Sequence, residues 1–170
     1  IHFMECAGNS GALNAPQPPQ ATVGDIHGLL SGSEWTGVKL STLLEEAGVD
    51  PRAKWIYAEG ADSSGMSRSI PLAKALDDAL ICLWQNGERI RPEQGYPMRL
   101  LVPGYQGNMN VKWLRRLELA AGPMHTKDET SKYSLLLRDG TARQFEFELG
   151  VKSLITQPSG TLTVPGKGLH

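Results

Sequence analysis

The sequence is poor in cysteine, in excess charge and in long apolar runs. Cys6 and Cys82 are the only cysteines among 170 residues, which excludes a disulfide framework. Lys and Arg total 17 against 18 Asp and Glu, so the net charge of −1 indicates no nucleic-acid partner. The longest apolar runs, such as residues 79–84, are far shorter than the roughly 20 residues that span a bilayer, and we expect no membrane span. With 40% hydrophobic residues, the chain is typical of a folded protein with a core.

Motifs for several common cofactors are also missing from the sequence. Its four histidines and two cysteines form no C-x-x-C or H-x-x-x-H pair, so the spacing does not indicate zinc. There is no C-x-x-C-H for covalent haem, and no Gly-x-Gly-x-x-Gly or Walker loop for a nucleotide. The sequence therefore gives no support to a nucleotide-dependent enzyme.

Local patterns predict short strands and short helices, which together indicate an α+β fold. Apolar, β-branched and aromatic stretches predict strands at residues 2–4, 55–58, 79–85, 88–90, 98–102, 111–119, 145–149 and 151–155. The Asn86-Gly87 pair predicts a tight hairpin, since both central positions of a type I′ turn need positive φ. The prolines of residues 15–20 predict an extended loop.

Two short helices are predicted from their boundary residues. Ser41 is a good N-cap for a helix over residues 42–47, and Gly48 is a typical stop. Pro71 suits the first position of a second helix, in which the apolar side chains after it keep helical spacing. The polar residues 126–132 are typical of a linker or surface segment.

The two cysteines have different surroundings. Cys82 lies between Ile81 and Leu83 in a predicted strand, where a thiol packs as a small hydrophobe. Cys6 begins a loop of small and polar residues whose backbone N–H groups can stabilise a thiolate. Cys6 is therefore a candidate nucleophile or metal ligand.

For three other polar residues, the spacing in the sequence does not decide between a structural and a functional role. Arg99 and Lys112 flank a glycine-rich loop over residues 103–108, where they either face solvent or bind a ligand. Tyr133 lies at the end of the polar segment, where a tyrosine either anchors a loop or donates a hydrogen bond to a substrate.

Five ordered motifs resemble the sulfite oxidase family of molybdenum enzymes. They are E-C-A-G-N at 5–9, S-I-P-L-A-K-A at 69–75, G-Y-P-M-R at 95–99, V-P-G at 102–104 and V-K-W-L at 111–114. Within that family, residues 15–20 and the Ser10-Gly11 pair are most similar to the molybdenum subunit of bacterial Sox sulfite or sulfane dehydrogenases.

The resemblance implies a molybdenum centre with one pyranopterin dithiolene, Mo-molybdopterin. Cys6 matches the thiolate ligand of the metal, a role that suits a soft ligand. Tyr133 matches the tyrosine beside the substrate, so Cys6 and Tyr133 are the expected catalytic residues. The positions expected to contact the pterin are Asp62, Gln94, Arg99, Asn110, Val111 and Lys112.

The resemblance also implies a domain organisation. Residues 1–123 would be the later portion of a sulfite oxidase-like molybdopterin-binding domain whose N-terminal part is missing. Residues 124–144 would be a linker that carries the active-site tyrosine. Residues 145–170 would begin an immunoglobulin-like β-sandwich that forms a homodimer.

The implied activity is oxidation of sulfite or of a protein-bound sulfane sulfur by oxygen transfer. The electrons would pass to a cytochrome c subunit, because the sequence has no haem motif or flavin fingerprint of its own. By the same resemblance the protein would be periplasmic.

Departures from the family pattern keep the substrate open. Ser10-Gly11 replaces an arginine pair of the eukaryotic members, and Gln94 replaces their pterin-contacting histidine. The residue before Val111 is Asn110. The pocket is therefore less basic than theirs, which leaves room for a larger sulfur substrate than sulfite.

Three alternatives remain at this point. One is a related molybdenum reductase that acts on a sulfoxide or on nitrate. Another is a cysteine hydrolase that pairs Cys6 with His2, although no acid that would orient the histidine is evident. The third is a β-rich binding module without enzymatic activity.

Overall fold

A computed structural model describes residues 1–17 and 21–156. Its strands are β1 His2–Glu5, β2 Leu30–Ser33, β3 Trp35–Lys39, β4 Trp55–Gly60, β5 Ser67–Pro71, β6 Leu80–Gln85, β7 Glu88–Arg89, β8 Arg99–Leu101, β9 Leu114–Ala120, β10 Ser134–Leu136 and β11 Ala142–Gln144. Its α-helices are α1 Val23–His27, α2 Leu40–Ala47, α3 Leu72–Asp77 and α4 Lys127–Ser131. Short 3-10 turns occupy Gly11–Asn14, Pro92–Gln94 and Gly107–Met109. The predicted mixture of helix and sheet is confirmed.

Within the described residues every strand pair is antiparallel, and the strands form two larger sheets and two two-stranded sheets. In the first sheet β4 lies between β5 and β9, and in the second β6 pairs with β3, β7 and β8. The pairs β1 with β2 and β10 with β11 stand apart from these sheets.

One apolar cluster joins the two larger sheets and the helices α2 and α3. It contains Leu40 and Leu44 of α2, Ile56 of β4 and Leu100 of β8, each less than a tenth exposed. A smaller cluster around Cys82 and its partly buried neighbours lies apart from the first. Leu101 of β8 belongs to this smaller cluster, and Met4 of β1 packs against it. The loops that follow β1 and β8 therefore begin at packed strands.

The hairpin prediction is confirmed. Asn86 and Gly87 connect β6 to β7 with φ of 51° and 78°, the left-handed conformation that both central positions need. Asn86 Oδ1 also accepts a hydrogen bond from the Glu34 backbone N–H at 2.9 Å, which ties the turn to the start of β3.

Both predicted helices exist, but their first turns differ from the prediction. Helix α2 begins at Leu40, before Ser41, and its N-cap Lys39 makes no side-chain cap bond. Pro71 is the last residue of β5 and caps α3 from outside instead of opening the helix. In both cases a strand leads directly into the helix, so strand pairing sets the boundary and a side-chain cap does not.

Two segments differ from their predictions: one contains a helix where a linker is expected, and the other begins as a strand three residues later than expected. The polar residues 126–132 contain α4, whose capping box joins Thr126 and Glu129. The strand predicted from Val111 begins only at Leu114 as β9, because Trp113 has a positive φ of 50°.

The strands predicted at 145–149 and 151–155 are absent, and this is a correction. Phe145 has a φ of 64°, which breaks an extended chain, and its ring packs against Phe147 and Trp55. Only an isolated bridge from Tyr105 to Glu148 remains of the expected pairing. Residues 157–170 of the expected sandwich, and residues 18–20 of the expected proline loop, lie outside the described residues.

Within the described part of the chain, no helix has the length and apolar character needed to cross a membrane.

Candidate active site

Cys6 lies directly after β1, with its side chain exposed in a tight loop. The Gly8 backbone N–H points at Cys6 Sγ, 3.4 Å away, as the small residues of the loop led us to expect. The loop is fixed by backbone bonds from Cys6 N to Leu29 O at 3.0 Å and from Asn9 N to Cys6 O at 2.9 Å. The sulfur is thus presented on an ordered turn, within reach of a backbone N–H donor.

Gly107 allows the loop after β8 to approach the end of β1. A Cβ atom at this position would lie 2.9 Å from the carbonyl oxygen of Glu5, closer than a side chain tolerates. Glycine therefore lets the Gly107–Met109 turn contact the backbone just before Cys6. The contact brings Gln106 to the same groove as Cys6.

A groove of about 480 Å³ contains both predicted catalytic residues. Cys6 and the two small residues after it form one wall, and Gln106 and Tyr133 belong to the same lining. Lys132 and Glu146 add one charge of each sign at the edge. We call this space the Cys6 groove. Residues 127 positions apart in sequence thus face a common space.

Arg99, on β8, is a buried cation with carbonyl and sulfur partners. It is 4% exposed, and its two terminal nitrogens donate to Gln94 O and Asn110 O, both at 3.0 Å. Burial lowers the pKa of Arg99 to about 10, partly offset by the Cys82 thiol. In residues 1–17 and 21–156 no carboxylate lies within ion-pair distance of it.

The cavity beside Arg99 is small and mixed in charge. It measures about 100 Å³, and Asp62, Asn110 and Lys112 line it together with Arg99. Hydrogen bonds from the Ser64 hydroxyl and the Met66 backbone N–H keep the pKa of Asp62 below its ordinary value, so this carboxyl is ionised.

Contacts with Glu93 and Trp113 hold the Lys112 side chain beside the same cavity. Its Nζ donates to Glu93 O at 2.9 Å and lies 4.4 Å from the centre of the Trp113 ring. Neither partner is a carboxylate, so the ammonium group remains available to an anion. Four of the six positions expected to contact the pterin, Asp62, Arg99, Asn110 and Lys112, therefore share one cavity.

Gln94 and Val111 are placed differently. The Gln94 side chain is exposed and lines another groove beside the β6–β7 hairpin, while only its carbonyl reaches Arg99. The Val111 side chain is 1% exposed and belongs to the main apolar cluster, and its carbonyl accepts from Leu100 N. Gln94 therefore reaches the cavity only through the bond of its carbonyl to Arg99, and Val111 lies in the core and does not line the cavity.

Asn110 stabilises the loop that separates the cavity from the Cys6 groove. Its Oδ1 accepts from Val102 N at 2.7 Å, and its Nδ2 donates to Gln106 O at 3.1 Å. Since Gln106 lines the groove and the next residue, Gly107, lines the cavity, the two spaces meet at this loop.

Sequence reasoning missed several residues of the site. Glu5 accepts hydrogen bonds from Asn9 Nδ2, at 2.9 Å, and from Lys152 Nζ, directly beside the Cys6 loop. Trp35 places its ring under Arg99, 5.0 Å from the guanidinium carbon. Arg68 lies 4.6 Å from the centre of the Tyr133 ring. Each of the three has at least one partner from a distant part of the chain, namely Lys152 for Glu5, Arg99 for Trp35 and Tyr133 for Arg68, which local sequence does not indicate.

The residues of the cavity and groove fit an anionic sulfur- and pterin-containing group. Arg99 Nε is buried and has no hydrogen-bond partner among the described residues, so a donor is left for a ligand acceptor. A buried cation without a carboxylate partner favours an anionic ligand. The exposed sulfur of Cys6 suits a soft transition metal in the adjoining groove.

Comparison with known proteins identifies the family. The family model described as "Oxidoreductase molybdopterin binding domain" matches residues 1–128. The chain belongs to this family of molybdopterin-binding oxidoreductase domains. The match confirms, at the level of the family, both the predicted resemblance and the molybdopterin cofactor.

The curated relatives include both sulfite oxidases and nitrate reductases. The chain is 41% identical over 101 residues to the mitochondrial sulfite oxidase of Drosophila melanogaster, covering 55% of this chain and 18% of that protein. It is 39% identical over 127 residues to an NADPH nitrate reductase of Phytophthora infestans, covering 69% of this chain and 14% of that protein. The chain thus spans less than a fifth of either relative.

Among solved structures, the sulfane dehydrogenase SoxCD of Paracoccus pantotrophus is similar over nearly the whole chain. The match has a TM-score of 0.87 and 46% identity, and covers 93% of this chain and 40% of that one. Fold and sequence agree in this match.

Proposed function

We propose that this chain is the cofactor-binding part of a molybdenum enzyme that oxidises sulfite or protein-bound sulfane sulfur. The observation that carries the proposal is the shared lining of the Cys6 groove by Cys6 and Tyr133. The similarity to SoxCD over 93% of the chain supports the sulfur substrate. Sulfite and water would give sulfate, two protons and two electrons, and the electrons would pass singly to a cytochrome c.

Each cavity residue has a role toward the cofactor. The Asp62 carboxylate would accept hydrogen bonds from ring N–H groups of the pterin, and Arg99 Nε would donate to an acceptor on it. Lys112 would bind the phosphate as a point charge. Asn110 would maintain the shape of the loop, Gln94 would hold Arg99 through its carbonyl, and Val111 would support the neighbouring strand through its bond to Leu100.

Each groove residue has a role toward the metal or the substrate. The bound cofactor supplies two-electron redox chemistry coupled to oxygen transfer. Cys6 would bind the metal through its sulfur, toward which the Gly8 N–H points. The Tyr133 hydroxyl would donate a hydrogen bond to an anionic substrate oxygen, where charge changes during the reaction.

The remaining expectations belong to the same proposal. Residues 1–123 would form the later portion of the cofactor domain, 124–144 the segment with Tyr133, and 145–170 the start of a homodimerisation domain. A cytochrome c partner and a periplasmic location would follow the sulfur-oxidising relatives.

A nitrate reductase is the second candidate, because the Phytophthora enzyme matches 69% of the chain. Parallel assays of the molybdenum-loaded holoprotein separate the two. We expect cytochrome c reduction with sulfite or a protein persulfide, and no oxidation of reduced viologen with nitrate. Nitrate reduction without sulfur oxidation would replace the proposal by the second candidate.

A further inference from the structure

Arg68 is a second buried arginine near the site, and its role is not explained by the cofactor cavity. It lies on β5, is 1% exposed, and does not line the cavity of Asp62 and Arg99. Its nearest carboxylate, Asp128, is 4.0 Å away and is also 3.5 Å from Lys132. A cation this deeply buried with so distant a counter-charge requires other contacts to stabilise it.

Those contacts lead to two members of the Cys6 groove. The guanidinium carbon lies 4.6 Å from the centre of the Tyr133 ring, within the range of a cation–π contact. Arg68 Nε donates to Asn108 Oδ1 at 3.0 Å, and Asn108 Nδ2 donates to Gln106 Oε1 at 3.0 Å. Arg68 therefore contacts Tyr133 directly and reaches Gln106 through one side chain.

The anchoring of Arg68 is rigid on its own strand. Its Nη1 donates to Ser67 O at 2.7 Å, and β5 pairs with β4 along its length, with Ala58 opposite Arg68. Tyr133, by contrast, follows the short helix α4 and precedes the two-stranded pair of β10 and β11. A rigid guanidinium on a sheet strand can fix the ring of a residue on a less constrained segment.

We propose that Arg68 is a positioning residue that fixes the Tyr133 ring, and through Asn108 the Gln106 amide, at the Cys6 groove. This inference rests on the proposed role of Tyr133. A guanidinium stacked on the ring restricts the side chain to one orientation. The entropy cost of orienting the hydroxyl toward the substrate is therefore smaller.

The test combines a mutant cycle with a spectroscopic reading. Arg68→Met, Tyr133→Phe and the double variant are compared as molybdenum-loaded holoprotein, with sulfite and a protein persulfide. Arg52→Met serves as the matched control, because Arg52 pairs with Asp50 on the surface. Arg68→Lys keeps a buried cation and replaces Arg68→Met if that variant does not fold.

We expect Arg68→Met to lower kcat/KM about 10-fold or more while molybdenum content stays at the wild-type level. In the Tyr133→Phe background the same change should cost about 2-fold or less, since the hydroxyl that Arg68 positions is already gone. Equal losses in both backgrounds, or loss of molybdenum from a folded Arg68→Met protein, would overturn the proposal.

Fluorine NMR detects the contact between Arg68 and the Tyr133 ring independently of enzyme activity. In 3-fluorotyrosine-labelled, oxidised holoprotein, the signal missing from Tyr133→Phe identifies Tyr133. We expect that signal to move in Arg68→Met and to stay in place in Arg52→Met. An unmoved signal rejects the positioning role, whereas a moved signal in a protein that oxidises no sulfur compound rejects only the proposed function.

Discussion

Arg99 donates a hydrogen bond to the sulfur of Met4, at 3.2 Å, two residues before Cys6. The same guanidinium binds the carbonyls of Gln94 and Asn110, so one buried side chain connects the cavity of Asp62 and Lys112 to the strand that precedes Cys6. A substitution of Arg99 therefore removes hydrogen bonds to the loop at Asn110 and to Met4 of β1 at the same time.

Arg99→Met tests the cofactor cavity. Loss of the cation removes the unpaired Nε donor and the charge that favours an anion, and charge-assisted hydrogen bonds contribute about 1.5 to 3 kcal/mol each. We expect the purified variant to retain less than about a tenth of the wild-type molybdenum, measured by metal analysis. Arg52→Met, a surface change, should keep its full content. A variant with full cofactor content and weakened substrate binding would show that Arg99 binds the substrate and not the cofactor.

Tyr133→Phe tests the donor in the groove. The ring and its packing against Arg68 remain, while the hydroxyl is lost. One donor to developing charge is worth about 10²- to 10³-fold at most, so kcat should fall and KM should rise. Steady-state and stopped-flow kinetics with sulfite and a persulfide measure both. Unchanged constants for both substrates would leave Tyr133 with a structural role only.

Glu5→Gln tests the acid beside Cys6. Burial raises the pKa of Glu5, but hydrogen bonds from Lys152 and Asn9 outweigh it and hold the pKa below its ordinary value. A lowered native pKa stabilises the fold above the unfolded pKa of about 4.3, and this stabilisation is lost as the pH falls below it. We expect Tm of Glu5→Gln to be lower than wild type by a few degrees at pH 7, and the difference to vanish at acidic pH.

The matched control for that change is Glu34→Gln, since Glu34 is exposed. Its Tm should follow the wild-type profile at every pH. A Glu5→Gln protein whose Tm difference stays constant from pH 7 to pH 3.5 would show that the charge of Glu5 contributes nothing.

The two thiols should differ in reactivity. Cys82 is fully buried, and burial raises its pKa to about 11 against a smaller opposing effect of Arg99. In cofactor-depleted protein at pH 8, iodoacetamide should label Cys6 and reach Cys82 only after unfolding, as read by peptide mass spectrometry. Cys82→Ala should cost about 1 to 2 kcal/mol of stability without loss of molybdenum. Rapid native labelling of Cys82 would contradict its packing.

Much of the fold could be predicted because its signals are local. The Asn86-Gly87 turn and the strand predicted at residues 55–58, which extends to Gly60 in the structure, depend on turn chemistry and β-propensity within a few residues. The errors arise where distant contacts prevail. Pairing with β4 extends β5 as far as Pro71, and aromatic packing on Trp55 overrides the β-propensity of Phe145.

The residues of the candidate site likewise fall into those that local sequence indicates and those that it does not. Cys6 could be found from its loop, and Arg99 and Lys112 from motifs with a family resemblance. Arg68 and Glu5 could not, because their partners Tyr133 and Lys152 lie 65 and 147 residues away along the chain. Only the folded structure gives such pairs.

The central claim is that Cys6 is the protein ligand of the molybdenum. The most direct measurement is turnover together with molybdenum content in Cys6→Ser holoprotein. A hydroxyl stays protonated near neutral pH and is a poor ligand for a soft metal, whereas the contacts proposed between the pterin and Asp62, Arg99 and Lys112 would be unchanged. The account predicts turnover reduced at least about 100-fold with the molybdenum largely retained. Near-normal turnover with one molybdenum per chain would contradict it.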